Sequence, residues 1–278
     1  MEYKNGLINL EEVNCKKGET KNMPGKVRLE YGSNIAEIDG INYYYKYSSY
    51  NAFGELLAEQ IAKEIGISCS HYDIAFLNDQ VCILSEVKDE SSTYSVEDIL
   101  KCVYQTNDTK DYNNIENINN AIASYFMNYN VSYIPSELNK IFLFDILIAN
   151  PDRNASNLKV YISNNEVHFI PLFDNENCFS HEETTYDSNY TLGVTNDRKG
   201  KNDLFDFLIN YPEMIPELEK YLYVLEERSI TRFFNNINKY TNSLVPDKIK
   251  NRYIYDAGMN LIMIRMTLAD VIEDIKIK

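Results

Sequence analysis

Asn150-Pro151-Asp152-Arg153-Asn154-Ala155-Ser156-Asn157 and, after a short alternating stretch, Pro171-Leu172-Phe173-Asp174-Asn175 decide how this chain is read. Asp152 stands five positions before Asn157. Leu158-Lys159-Val160-Tyr161-Ile162 alternates, Ser163-Asn164-Asn165 is rich in turn formers, and Val167-His168-Phe169-Ile170 resumes the apolar pattern, which predicts a β-hairpin. A hairpin reverses the chain, so Asp174 at the end of the second strand is expected beside Asn157 at the start of the first. An amide and a carboxylate brought together in this way are hard oxygen ligands that one cation could share.

Upstream, Pro135 to Ala149 reads as a helix dominated by Leu138, Ile141, Phe142, Ile146, Leu147 and Ile148, with Pro135-Ser136-Glu137 as its start. A buried helix therefore delivers the polar loop. Asp145 interrupts the apolar run, and an unpaired buried carboxylate is costly, so it calls for a partner. Arg153 is the candidate, and the pair would brace the loop without touching a substrate.

Phosphoryl transfer uses an acidic group to hold the acceptor hydroxyl, and an amide plus a second carboxylate to hold Mg²⁺ against the nucleotide phosphates. The protein-kinase loop H-R-D-x-x-x-x-N has the same five-residue separation between its Asp and Asn. FDILIANPDRNASN, residues 144–157, followed by PLFDN, residues 171–175, resembles the catalytic and metal-binding motifs of the HipA-like serine/threonine kinases, whose fold is related to that of the phosphatidylinositol 3/4-kinases. That family typically reads N-x-D-R-H-x-x-N, and this chain has Asn154 where the His is usual. The resemblance implies ATP and Mg²⁺ as cofactors, Asp152 as the group that orients or deprotonates the acceptor, and Asn157 and Asp174 as metal ligands. It implies an α+β, bilobal protein-kinase-like fold, with a small β-rich N-lobe at residues 1–88 and a larger, mostly helical C-lobe at 89–278. The implied acceptor is a Ser or Thr of a protein, with autophosphorylation allowed.

The N-terminal third agrees with this resemblance. Ile41 to Lys46 reads as a strand, and the family places its phosphate-contacting lysine at such a position, here Lys46. A helix follows from Asn51 to Ile65, stopped by Gly66, with Leu57, Ile61 and Ile65 on one face beside Ala58 and Ala62. It resembles helix C of kinases, and either Glu55 or Glu59 could pair with Lys46. His71 to Leu77 and Gln80 to Ser85 form a second hairpin through Asn78-Asp79. Ser85 to Lys88 then resembles the inter-lobe hinge, where backbone groups near Glu86, Val87 and Lys88 would read adenine. Lys16 to Lys21 and Pro24-Gly25-Lys26, ahead of the first expected strands, are the candidate phosphate-covering loop. The chain has no G-x-x-x-x-G-K-[ST] and no G-x-G-x-x-G.

Composition narrows the partners. At 278 residues, 27 Lys plus Arg against 42 Asp plus Glu give a net charge of −15, which argues against nucleic acid or an anionic membrane as the main partner. Met1 to Gly6 has no signal-peptide character, and the run Ile141 to Ala149 is too short to span a bilayer, so a soluble, cytoplasmic protein is expected. The five cysteines contain no C-x-x-C, and the three histidines are scattered, so no structural metal is expected. Beyond Ser95 helices dominate: Glu116 to Tyr129, Pro135 to Ala149, Leu204 to Tyr211, Ile215 to Asn238 with a break near Glu227, and Asp256 to Ile275. Ser180 to Lys201 is polar and without period, where a kinase would carry its activation or substrate-binding segment. HipA proteins commonly act as toxins restrained by a DNA-binding antitoxin, so an antitoxin-like partner is also implied. Two other assignments fit the same residues: a kinase of this fold acting on a lipid or small molecule, and a nucleotide-binding pseudokinase that regulates a partner.

Overall fold

A computed structural model describes residues 3–4, 7–9, 14–17, 34–38, 41–47, 50–77, 80–86, 92–109, 112–151, 153–179, 198–241 and 247–277. The architecture is mixed α+β, with a small β-rich N-terminal part and a larger helical part. Numbered in chain order, the strands of the N-terminal sheet run β1 (Tyr3–Lys4), β2 (Leu7–Asn9), β6 (Asp73–Leu77), β7 (Gln80–Glu86), β5 (Ile41–Tyr47), β4 (Asn34–Ile38), β3 (Asn14–Lys17) across its width. All neighbours are antiparallel except β2 and β6. The second hairpin forms as expected, Leu77 opposite Gln80.

One expectation is corrected here. Lys16 and Lys17 do not precede the first strands; they lie in β3, opposite Ile35 and Asn34 of β4. Asn14-Cys15-Lys16-Lys17 shows no apolar alternation, and it is pairing to β4 that makes it a strand. The rest of the candidate phosphate loop, residues 18–26, lies outside the described residues.

β7 is apolar on consecutive positions because both faces of the sheet are covered. Ile83 packs into the main core, while its neighbours Cys82 and Leu84 join Ala36, Ile38, Tyr45 and Ala75 in a separate cluster. A strand buried on both faces loses the period-two signature. Helix α1 (Tyr50–Ile65) lays Leu57, Ala58, Ile61 and Ala62 into the main core. Its end is capped where the sequence says it should be: Gly66 is left-handed at φ 78°, and the Ile67 amide reaches back to the Ala62 carbonyl at 2.9 Å.

The remaining helices are α2 (Val96–Tyr104), α3 (Ile115–Tyr125), α4 (Ile134–Leu147), α5 (Arg198–Asn210), α6 (Ile215–Tyr221), α7 (Glu227–Thr241) and α8 (Asp247–Ile277). Between α6 and α7 the break comes as a 3-10 turn, Leu222–Leu225, followed by Glu226 in an extended conformation. α8 begins at Asp247, nine residues before the expected start at Asp256, because its polar first turns carry little apolar period beyond Ile249 and Tyr253. A small antiparallel sheet, ordered β10 (Glu166–Phe169), β9 (Lys159–Ser163), β8 (Thr93–Ser95), contains the expected hairpin. Its two-residue turn is Asn164 and Asn165, at φ 51° and 66°, the left-handed pair that a tight hairpin twist requires and that Asn tolerates. No helix among the described residues is long and apolar enough to cross a membrane.

Candidate active site

The polar loop starts at the end of α4, and that end is built to hold it. Ala149 turns left-handed at φ 45°, the Asn150 amide donates to the Asp145 carbonyl at 2.9 Å, and the Ala149 amide donates to Ile146 at 3.2 Å. These are the two bonds of a Schellman cap. The last carbonyls of the helix, orphans in any helix, also find donors: Asn260 Nδ2 from α8 reaches Ile146 and Leu147 at 2.8 and 2.9 Å, and the Phe179 amide reaches Ile148 at 2.9 Å. The cap folds the loop back over its own helix, toward Asp145.

Asp145 and Arg153 are both fully buried and paired, as the sequence requires. Arg153 Nε lies 3.2 and 3.1 Å from the two carboxylate oxygens, Nη2 lies 3.2 Å from Oδ1, and Asn150 Nδ2 adds a bond at 3.3 Å. Burial pushes the Asp145 carboxyl up, against the pull of Arg153 and Asn150. Burial alone would lower the Arg153 guanidinium, but the carboxylate outweighs it and holds the group above its ordinary value. The remaining donors of Arg153 point across the site. Nη1 donates to the Phe173 carbonyl at 2.8 Å, and Nη2 donates to the Asn175 side-chain oxygen. Arg153, directly after Asp152, therefore grips both neighbours of Asp174.

A second grip comes from α1. Glu55 is buried in the helix face, and its Oε2 accepts the Asn175 amide at 2.9 Å. Asp174, between the two anchors, is left-handed at φ 60°, an uncommon conformation that Asp adopts more readily than most side chains. The approach of α1 to this segment is close enough to require Gly54: a Cβ there would sit 2.8 Å from the Glu176 carbonyl and 3.3 Å from Cys178 Sγ. Cys178 Sγ instead donates to the Gly54 carbonyl at 3.1 Å. Residues 68–70 pair with Leu172 through bonds of 2.7 and 2.9 Å, and Asn175 Nδ2 reaches Cys69 Sγ at 3.5 Å. Burial and the Glu55 charge push the Cys69 thiol up to about 12, and burial followed by Glu55 pushes the Tyr72 phenol well above its ordinary value.

Asn157 is buried at the end of a 3-10 turn, Ala155–Asn157. Asn154 caps that turn, its Oδ1 accepting the Ser156 amide at 2.9 Å and the Ser156 hydroxyl. The Ser156 hydroxyl also lies 3.2 Å from Asn157 Oδ1. The residue at the usual His position thus shapes the turn that carries the amide. Glu55, Asp174 and Glu176 each bring a carboxylate oxygen within 4.8 Å of the others. An all-oxygen set of this kind suits a hard divalent cation such as Mg²⁺.

Other candidate residues are placed as follows. Lys46 stands in β5 opposite Ile83, and Asp152, Val87, Lys88 and the Lys46 side chain lie outside what is described. Glu86 ends β7, exposed and paired with Tyr43. Glu59, one turn beyond Glu55, accepts from the Tyr72 amide at 3.0 Å and meets His71 Nδ1 at 2.6 Å. Sequence reasoning missed Asn175, Glu176 and Gly54; the one available signal was the amide beside Asp174, since the contacts of all three come from distant segments.

No protein-family model and no curated protein matches this chain. Among solved structures, it is similar to the Helicobacter pylori proinflammatory kinase CtkA, at 12% identity over 96% of this chain and 98% of that one, with a TM-score of 0.56. It is also similar to HipA of Shewanella oneidensis MR-1, in a toxin–antitoxin complex with HipB and operator DNA, at 13% identity over 82% of this chain and 60% of that one, with a TM-score of 0.52. At these identities the likeness is one of fold, and the fold is HipA-like.

Proposed function

We propose that this chain is an ATP- and Mg²⁺-dependent kinase that transfers the γ-phosphoryl group to a Ser or Thr hydroxyl of a protein, its own chain included. The observation that carries the reading is the Arg153 grip: one buried side chain, adjacent to Asp152, holds the residues on either side of Asp174. A rigidly held Asp174 segment is what an in-line displacement needs, because such catalysis is mostly positioning and charge stabilisation. In this reading residues 1–88 form the nucleotide lobe and 89–278 the catalytic lobe. Lys46 contacts phosphate with Glu55 or Glu59 as its partner, and backbone groups near Glu86, Val87 and Lys88 receive adenine.

Asp152 accepts the hydrogen bond of the acceptor hydroxyl and takes its proton as the oxygen attacks the γ-phosphorus; the bond to the β-phosphate oxygen breaks and ADP leaves. Mg²⁺, when bound, neutralises charge on the phosphates. Asn157 and Asp174 would supply oxygen ligands for it, and Glu176 carries a carboxylate oxygen within 4.8 Å of one of Asp174. The HipA neighbour was solved with HipB and operator DNA, and we extend to this chain an antitoxin-like protein partner and a cytoplasmic location.

The test separates chemistry from binding. ATP should raise the melting temperature much more with Mg²⁺ than with EDTA, because a ligand specific for the native state stabilises it in proportion to its affinity. Asp174→Ala should remove that difference. Label from γ-³²P-ATP should appear on this protein or an added lysate protein, and Asp152→Asn should cut the rate by about 10²–10⁴-fold while nucleotide binding persists. Metal-dependent stabilisation with transfer only to lipid or small molecules would move the acceptor, stabilisation without any transfer would indicate a pseudokinase, and no nucleotide effect would reject the reading.

A further inference from the structure

Helix α8 carries two apolar faces, and the fold uses one. Tyr253, Ala257, Ile264, Leu268 and Val271 are buried against the rest of the molecule. On the opposite side Tyr255, Met259, Ile262 and Met266 are 64, 44, 53 and 57% exposed. Their spacing is four, three, four, the heptad rhythm of a helix–helix seam. Single exposed apolar residues need no explanation, but an aligned row of them in large part open to water does.

The same line continues to charged residues at both ends. Lys248 precedes Tyr255 by seven residues and Glu273 follows Met266 by seven, and both are exposed. The row is therefore a cation, four apolar side chains and an anion, with its midpoint between Asn260 and Leu261. Turned about that midpoint by a two-fold axis, Tyr255 meets Met266, Met259 meets Ile262, Lys248 meets Glu273 and Asn251 meets Asp270, each contact occurring twice. A parallel pairing would instead set Lys248 against Lys248 and Glu273 against Glu273. Gly258 adds an independent sign. In a helix interior glycine is destabilising relative to alanine, yet a Cβ at 258 would meet nothing within 4 Å, so the packing of a single chain does not call for it. Beside the midpoint of the row it lets a second backbone come close.

We propose that the outer face of α8 is a self-association surface on which a second copy of this chain docks antiparallel, with Tyr255, Met259, Ile262 and Met266 as its apolar seam and Lys248–Glu273 pairs closing both ends. The self-complementarity of the row selects a second copy over an unrelated helix, since an isologous contact requires that each half recognise the other. Lys248 to Glu273 covers about 38 Å of helix at 1.5 Å per residue. One helix pair of that length falls at the small end of specific interfaces, so the dissociation constant belongs in roughly the micromolar range.

Sedimentation velocity of the full chain from about 1 to 200 μM, bracketing that range, tests this. A monomer–dimer equilibrium is expected, and Ile262→Glu should abolish it with the far-ultraviolet circular dichroism and melting temperature of the monomer unchanged. Lys248→Glu alone and Glu273→Lys alone should each weaken the dimer about tenfold, two exposed pairs having been made repulsive. The double swap Lys248→Glu with Glu273→Lys should restore it. A monomer at every concentration, a dimer indifferent to Ile262→Glu, or single reversals without effect and without rescue would overturn the antiparallel seam.

Discussion

At the scale of single residues, Arg153 concentrates the most consequence. It is fully buried, neutralises Asp145 and reaches Phe173 and Asn175, so its loss strands a carboxylate, frees the Phe173 flank of Asp174 and leaves the Asn175 flank to Glu55. Arg153→Met should destabilise by about 3–5 kcal/mol, the range for breaking a buried pair. Asp145→Leu placed on top should recover part of that, measured as a double-mutant cycle in urea; additive losses would contradict the pairing. The sign with pH follows from Asp145. Its folded-state value is raised by burial and would rise further without Arg153, so the folded variant binds protons more readily than the unfolded chain. The deficit of Arg153→Met should therefore be smaller near pH 5 than near pH 8. Gly54 makes a separate prediction. A Cβ 2.8 Å from the Glu176 carbonyl must push the segment holding Asp174 and Glu176 away from α1. Gly54→Ala should cost about 1–3 kcal/mol by overpacking and should reduce the Mg²⁺-dependent part of nucleotide stabilisation more than the nucleotide effect in EDTA, a melting-temperature comparison that a wild-type response would refute.

At the scale of elements, the hairpin and α4 are fastened at their far ends as well. Glu137, in the first turn of α4, accepts the Phe169 amide at 3.0 Å and meets His168 Nδ1 at 3.0 Å, while Glu166 lies 3.3 Å from Nε2. The Glu137 hydrogen bond above all raises His168 over its ordinary value of 6.5, and Glu166 adds to it. A raised histidine stabilises the fold fully below pH 6.5 and loses that contribution as pH climbs through the raised value. His71 beside Glu59 is raised in the same sense. Melting temperature should therefore fall between pH 6 and 8, and His168→Gln should flatten part of that fall. The partial exposure of both partners limits the effect to under about 1 kcal/mol. An unchanged slope would mean the contact carries no charge.

At the scale of the whole molecule, the β-rich part and the helical part share one apolar core. Ile83 and Tyr72 from the sheet side, α1 and the helices α4 and α8 all contribute to it. The Ser68–Ser70 pairing with Leu172, the Glu55 bond to Asn175, and Tyr223 Oη on the Glu64 carbonyl at 3.1 Å cross between the two parts. Neither part can expose its side of that core without losing the other's burial, at about 25 cal/mol for each Å² returned to water. Calorimetry should show a single unfolding transition, shifted as a unit by Mg²⁺ and ATP. Two resolved transitions would mean that the shared core is divided in solution.

Local information was enough for what has a local cause. The left-handed stop at Gly66, the Asn164-Asn165 hairpin turn and the apolar length of α4 follow from backbone preference and period, and an acid inside an apolar helix demands a cation nearby. From these the α+β class and the Asp145–Arg153 pair were legible. Strands β3 and β8 were not, because Lys16-Lys17 and Thr93-Tyr94-Ser95 carry no pattern of their own and become strands only through a partner. The grips on Asp174 were not legible either. Arg153, Asn175 and Glu55 lie 22 and 120 positions apart along the chain, and nothing in composition or spacing relates α1 to the segment after the hairpin. Only packing brings Gly54 against Glu176, because closure of the shared core fixes that distance, and only the tertiary structure shows that α8 spends one apolar face on the core and turns the other outward.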